Sequence, residues 1–236
     1  VLSVGGRNEA HHSGLSDAHR LECLTRSIET AGLRPSEDMA IALRIKDTQI
    51  NEAGSYVFEG QEHATSSDAF SGQVVDWVSQ FPIVSIESPF AADDLEAYRR
   101  LTWAIGKRTQ VIAPFRPDQK PLEFSEGEVG AIGNALLLTG DRVQTVGDME
   151  ALKSFADKRA MGTVLQVNSG GLSGTLPIHL AVGWGVYQIK TGSPNDPASM
   201  MVGREGMRIA EAISETDGER SPIDGNLPDR NLFAWG

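Results

Sequence analysis

Cysteine is almost absent from this sequence of 236 residues, in which Cys23 is the single thiol. One cysteine cannot form an internal disulfide, and no cluster of cysteine and histidine offers the ligands of a structural zinc site. A disulfide scaffold and a zinc domain are therefore excluded, and a reducing compartment fits best. We expect an intracellular protein, with cytoplasmic, mitochondrial and axonemal locations all open. The chain begins at Val1, so either a leader has been removed or the sequence is a fragment.

Long apolar runs and an excess of positive charge are also lacking. No stretch approaches the roughly 18 apolar residues that a membrane-spanning helix needs. With 21 basic residues against 32 acidic ones, the formal net charge is -11. A general phosphate-backbone binder needs a cationic face, so we expect no nucleic-acid partner. Because no long apolar run is present, we also expect no membrane span.

Short apolar runs alternate with stretches of helical periodicity along most of the chain. The runs that suit buried strands cover residues 39–45, 83–87, 109–113, 162–167 and 186–190, with a further apolar segment at 178–182. Helices are predicted over residues 17–31, 67–80, 93–105, 148–158 and 203–214. Strands and helices that alternate at this spacing predict βα units around a parallel sheet or barrel, which is an α/β fold.

Two segments break this alternation. Residues 114–133 hold three prolines, three glycines and four acidic residues, which favours an exposed, inserted loop over residues 114–135. Residues 215–236 are polar and dotted with proline and glycine, which is typical of a tail. The predicted organisation is one domain over residues 1–214, followed by a tail over residues 215–236.

The most specific motif lies at residues 81–94, where Phe-Pro-Ile-Val-Ser-Ile-Glu-Ser-Pro-Phe-Ala-Ala-Asp-Asp leads from a strand into a helix. Weaker motifs accompany it: an Ala-Gly-Leu and Ile-Ala-Leu pair at 31–43, Gly-Ser-Tyr at 54–56, Val-Asn at 167–168 and Gln-Ile-Lys-Thr-Gly at 188–192. In this order, over roughly residues 1–214, they resemble the C-terminal barrel domain of enolase, the phosphopyruvate hydratase of glycolysis. The resemblance implies an enolase-like (β/α) barrel.

The resemblance also implies that parts of the family's structure are missing. Neither the separate N-terminal domain nor the first part of the barrel has a counterpart in the sequence. The interval between Val167 and Gln188 is short by on the order of thirty residues, which is about one βα unit. We therefore expect an incomplete, degenerate barrel. An opened barrel exposes sheet edges and apolar faces, so we expect protein partners in a larger complex, with a homo-oligomer as another way to cover them.

Enolases dehydrate 2-phosphoglycerate to phosphoenolpyruvate with a lysine base and two magnesium ions. The family supplies carboxylates from three strand ends as metal ligands, because magnesium prefers hard oxygen donors. The resemblance places Glu87 at the second ligand position, Asp141 at the third and Arg44 at the first. A guanidinium stays charged and repels a cation. We therefore expect no metal and no other cofactor, with Arg44 pairing with Glu87 and Asp141 in place of the ion.

The catalytic positions implied by the resemblance have also changed. Val4 stands where the family has its general acid, and Gln166 stands where it has the lysine base. Neither side chain can exchange a proton at the substrate. The family's His-Arg-Ser-Gly-Glu-Thr segment has no counterpart. Only Lys190 and Ser193 remain as substrate-binding positions, and no catalytic residue is expected.

Simpler interpretations exist for several of these residues. Glu87 can be a buried carboxylate that pairs with Arg44, and Asp141 can be a turn residue after Thr139-Gly140. The histidines at 11, 12 and 19 fit a solvated polar loop better than a metal site, and the glycines at 170, 171 and 174 fit a connector better than a phosphate loop.

The hypothesis for function is a catalytically inactive enolase relative that serves as a structural or interaction subunit of an intracellular assembly, because fold and activity are separable. One alternative is an active enolase that dehydrates 2-phosphoglycerate with magnesium. Another is a binder of a small anionic metabolite at the remnant site.

Overall fold

The structure is a computed structural model, and it describes residues 16–45, 49–50, 55–57, 64–114, 130–141, 143, 145–167, 174–193 and 196–217. The chain divides into two compact units. The described residues as far as Ala135 belong to the first unit, and those from Leu136 onward belong to the second.

The first unit alternates strands and helices after an initial helix. Its elements are α1 (Asp17–Thr30), β1 (Ile41–Arg44), β2 (Gln49–Ile50), β3 (Tyr56–Val57), α2 (Ser67–Gln80), β4 (Ile83–Glu87), α3 (Leu95–Ile105) and β5 (Gln110–Val111). The second unit continues with β6 (Ala135–Leu138), whose first residue belongs to the first unit, then α4 (Val146–Asp157), β7 (Gly162–Gln166), α5 (Leu176–Trp184), β8 (Gln188–Lys190) and α6 (Pro197–Asp217).

Side-chain caps fix where the helices begin. Ser16, Ser66, Asp94 and Thr145 each accept a hydrogen bond from the backbone N–H three residues later, at the starts of α1, α2, α3 and α4. Such caps satisfy an N–H group that has no partner within the helix. The sequence thus specifies these helix starts locally.

A parallel sheet with the order β1-β4-β5 forms the centre of the first unit. All five residues of β4 are buried, which explains why its sequence is an almost continuous apolar run. Two uncharged polar residues, Ser85 on β4 and Gln110 on β5, are buried in the sheet, and the Gln110 amide donates a 3.0 Å hydrogen bond to the Ser85 hydroxyl. This bond satisfies both buried groups inside the sheet.

Aromatic rings pack together beside this sheet. The Phe90 ring lies 5.9 Å from Tyr56, 6.0 Å from Phe70 and 5.6 Å from Tyr98 between centroids. The Tyr56 hydroxyl donates to Asp94 at 2.8 Å, and burial together with this carboxylate raises the pKa of Tyr56 well above its ordinary value. The cluster therefore ties the short β2–β3 hairpin to the start of α3.

Asn134 and Gly133 complete the edge of β5. The Asn134 side chain accepts from the Val111 N–H at 2.7 Å and donates to the carbonyls of Gly106 and Thr109. A Cβ on Gly133 would lie 2.7 Å from the Ala113 Cα, so glycine is required for this close approach. Together they allow the parallel bridge between Ile112 and Ala135.

The second unit is built on the strand order β6-β7-β8, in which β7 and β8 run parallel. Its buried core joins the strands to α4 and α5 through Leu138, Met149, Leu152, Leu165, Ala181 and Val186. Gly185 ends α5 in the left-handed conformation, with φ of 64°.

The predicted α/β class with parallel strands is confirmed, and the described strands form two three-stranded sheets and a hairpin, as expected for an incomplete barrel. The bounds predicted for α2 and β4 match those observed. The apolar segment at 178–182 lies in helix α5, and the last helix begins at Pro197, earlier than predicted.

The predicted insertion at 114–135 lies mostly outside the described residues, as does the predicted tail from residue 218 onward. At the end of the insertion, residues 130–132 are helical and Ala135 already belongs to β6.

Candidate functional site

Arg44 and Glu87 meet at the carboxyl ends of β1 and β4. They are register partners in the parallel sheet, and the Arg44 Nε lies 3.3 Å from the Glu87 Oε1. The Glu87 side chain is 10% exposed and the Arg44 side chain is 49% exposed. A carboxylate this buried is costly unless a cation or hydrogen-bond donors accompany it, and the guanidinium supplies positive charge at the expected contact.

A strand hydrogen bond and a tight turn fix the backbone at Glu87. Its carbonyl accepts a 3.0 Å hydrogen bond from the Ile45 N–H, which extends the pairing of β1 and β4 past Arg44. Ser88 follows in the left-handed conformation with φ of 53°, which is uncommon for a residue other than glycine, asparagine or aspartate. The position of the Glu87 side chain is therefore set by the strand and by a tight turn directly after it.

Among the described residues, β5 and the positions directly after it supply no further carboxylate. β5 is followed by Ile112, Ala113 and Pro114, all of which are buried. Carboxylates that bind one ion must converge in space, with their oxygens within about 2–2.6 Å of it. Within the first unit, Glu87 thus meets a guanidinium on one side and an apolar strand end on the other.

Asp141 follows β6 in the second unit and is exposed. The Asp141 carboxylate accepts a 3.3 Å hydrogen bond from the Thr139 hydroxyl. The Asp141 backbone N–H donates to the oxygen of that hydroxyl at 3.5 Å. These contacts are those of a turn residue. The assignment of Asp141 to the third ligand position stays a prediction.

Gln166 and Lys190 lie side by side on β7 and β8. They are register partners, and the N–H of Val167 donates a 2.9 Å hydrogen bond to the Lys190 carbonyl. Both side chains are half-buried, as is Ser193 three residues beyond Lys190. The base position and the remaining cationic position of the resemblance are therefore brought together in the second unit.

In the described part of the connection between these two strands, residues 174–187, the chain forms helix α5. In the resemblance, the segment with the family's histidine should stand between Val167 and Gln188. The structure pairs β7 directly with β8 instead, so no strand lies between Gln166 and Lys190. The short interval in the sequence thus corresponds to a contiguous pair of strands.

Several residues considered for the site fall elsewhere. Val4, His11, His12 and the glycines at 170 and 171 lie outside the described residues. His19 is on α1, where its Nδ1 lies 3.5 Å from Glu22 at the surface. Gly174 is described and has φ of 63° ahead of α5.

The residues present at Arg44 and Glu87 do not fit the magnesium ions of the enolase reaction. Glu87 offers a single hard anionic ligand. Arg44 puts a fixed positive charge where the resemblance places a second ligand. Across the described residues, no group of three or more histidine, cysteine, aspartate or glutamate side chains is placed to hold a metal ion.

Parallel strands followed by helices, with charged and amide side chains at the carboxyl ends of the strands, define the (β/α) class to which barrel enzymes belong. The family model described as enolase, C-terminal TIM barrel domain, matches residues 9–220. The chain belongs to that family. Among the described residues, no helix is both long enough and apolar enough to cross a bilayer.

Proposed function

We propose that this chain does not dehydrate 2-phosphoglycerate and that it serves as an interaction subunit of a larger intracellular assembly. The observation that carries the proposal is the Arg44–Glu87 pair. In the enolase reaction, divalent cations offset the charge that develops on the substrate. Here the guanidinium already offsets the charge of the carboxylate that would bind such a cation.

The neighbourhood of Gln166 supports the same conclusion. The family's lysine base removes a proton next to the substrate carboxylate, and an amide has no basic lone pair at accessible pH. Gln166 is in register with Lys190, so the position lies at a strand end as a base would require. With Gln166 assigned to the base position by the resemblance, no side chain there can take the proton.

Purified full-length chain is expected to convert 2-phosphoglycerate with added magnesium no faster than a blank without protein. The measurement is the ultraviolet absorbance of the enol product, with an active enolase in the same buffer as the positive control. Conversion well above the blank, lost on replacing Lys190→Met, would establish an active enzyme and overturn the proposal.

Binding of a small anion is a second candidate function, and the pairing of Lys190 with Gln166 favours it. A cation and an amide at adjacent strand ends, with Ser193 nearby in sequence, supply a charge and hydrogen-bond donors that suit a phosphate or carboxylate.

Phosphorylated three-carbon acids are the probes for this second function. A ligand of the folded state raises the unfolding temperature by mass action, and a concentration 100 times Kd adds about 2.7 kcal/mol. If the site binds anions, we expect a shift that disappears in Lys190→Met and persists in Lys158→Met, an exposed lysine elsewhere in the second unit. Unchanged melting curves across the panel would exclude this function.

Native mass spectrometry of endogenous material separates the two candidates. A heteromeric complex supports the interaction subunit, whereas a free chain with a bound anion supports the small-molecule binder. A free chain without any ligand would count against both.

A further inference from the structure

The outward side of α3 carries the most exposed large apolar side chain in the described part of the chain. Trp103 is 88% exposed, whereas Ala97, Tyr98, Leu101 and Ile105 on the other side of the same helix are buried. Tryptophan is highly buried on average, so a side chain placed this far into solvent contributes almost nothing to the core. The fold therefore gives no reason for an indole at this position.

Cationic residues flank Trp103 one turn before it and just past the end of the helix. Arg99 and Arg100 lie one turn before Trp103, and Lys107 follows one turn after it, just past the end of the helix. We call the side formed by these four residues the Trp103 face.

Carboxylates neutralise only part of the charge on the Trp103 face. Arg99 contacts Glu96 at 3.3 Å, and Arg100 contacts Asp68 at 2.7 Å. Lys107 is exposed and forms no ion pair with another described residue, so the face keeps a net positive charge. This sign is opposite to that of the whole chain, whose net charge is -11.

We propose that the Trp103 face docks an acidic segment of a partner protein that presents an apolar side chain to the indole. The proposal rests on the proposed role as an interaction subunit and names the surface and the partner chemistry. Tryptophan and arginine are enriched among the residues that dominate binding energy at interfaces. Complementary charge speeds association and selects the partner, and a cationic face selects an anionic one.

Other anionic partners fit the face less well. A nucleic acid would meet the strong negative charge of the rest of the chain. A membrane surface takes up helices with an extended apolar side, whereas Trp103 is the one large apolar residue on this face. A short acidic segment needs only the local cations and one aromatic contact.

The test uses random peptides displayed on phage, selected against the full immobilised chain. We expect the recovered peptides to be rich in aspartate and glutamate with an apolar residue among them. Synthetic versions of the recovered peptides are then measured by fluorescence anisotropy. Trp103→Ser is expected to weaken their binding about thirtyfold, which corresponds to about 2 kcal/mol for a central aromatic contact. Lys107→Glu is expected to weaken it further as salt is lowered.

Two exposed residues in the second unit provide matched controls. Tyr187, which is 74% exposed, is replaced by serine, and Lys158 is replaced by glutamate. Both variants should bind the peptides as the wild type does. Because Trp103 and Lys107 are exposed, all four variants should also keep the wild-type unfolding temperature.

Recovered peptides that are basic or neutral, or acidic peptides whose binding is unaffected by Trp103→Ser, would overturn the inference. Binding to phosphatidylserine vesicles or to DNA that requires Trp103, in place of peptide binding, would overturn it as well. Failure here is distinct from failure of the proposed function. An endogenous complex that persists in Trp103→Ser would leave the subunit role intact and remove only this surface.

Discussion

Replacing Arg44 with aspartate is expected to destabilise the chain and to make its unfolding temperature depend on added magnesium. Neighbouring strands lie about 4.8 Å apart, so Arg44→Asp would place two carboxylates side by side at the ends of β1 and β4. Removing one partner of a fully buried ion pair costs about 3–5 kcal/mol. Because Arg44 is half-exposed, we expect about 2 kcal/mol.

Magnesium should then recover part of the lost stability. Two adjacent carboxylates attract a divalent cation, and a cation at ten times its Kd adds about 1.4 kcal/mol to the folded state. The measurement is thermal unfolding with and without magnesium for the wild type, Arg44→Asp and Arg44→Met. The methionine variant removes the guanidinium without adding a carboxylate, so it should lose stability and gain no response to magnesium.

A wild type that gains as much stability from magnesium as Arg44→Asp would contradict this expectation. That result would mean that the chain already binds a cation, and it would weaken the case that the guanidinium has replaced the metal. A variant Arg44→Asp that loses stability but ignores magnesium would mean that the two strand ends no longer converge as a metal site requires.

Phe90→Ala is expected to have the largest effect of any single substitution considered for the first unit. The Phe90 ring is buried and packs against Tyr56, Phe70 and Tyr98 with centroid distances of 5.6–6.0 Å. Truncating a buried phenylalanine costs about 3–5 kcal/mol through lost transfer energy and the cavity left behind. The hydroxyls of Tyr56 and Tyr98 are anchored by hydrogen bonds to Asp94 and to the Phe90 carbonyl, so the cavity should collapse little.

Hydrogen exchange followed by mass spectrometry shows which elements lose stability in Phe90→Ala. Protection should fall across β4 and α3, whereas Tyr187→Ala, at an exposed site, should change stability by less than about 0.5 kcal/mol. Phe90→Leu keeps most of the apolar volume and should lose clearly less than Phe90→Ala. A loss of protection confined to the substituted position would contradict the role assigned to the aromatic cluster.

Much of the fold could be predicted because its signals are local. The bounds of β4 follow from a continuous apolar run that ends on Glu87, and the start of α1 follows from the Ser16 cap. The helix α6 begins at Pro197, six residues before the predicted start at Gly203. Asp196 followed by Pro197 was the available signal, since the Asp196 side chain accepts from the N–H of Ser199 at 3.2 Å.

Some residues discussed for the site could be predicted from local sequence, and others could not. Glu87 ends a specific motif and Arg44 lies near the end of the strand predicted over residues 39–45, so the sequence alone predicts both as site positions. Asn134 was missed because its hydrogen bonds reach back to Gly106 and Thr109, more than twenty residues away in sequence. Trp103 was not singled out because helical spacing alone does not say which side of α3 meets the core.

The sequence by itself determined the α/β class and the family motifs, because residue identity and local periodicity carry that information. Only the tertiary structure decided that Arg44 and Glu87 are register partners in contact, that Gln166 lies beside Lys190, and that Trp103 points into solvent. Strand register and the choice of buried helix face depend on contacts between residues far apart in the chain, and those contacts exist only once the elements have packed.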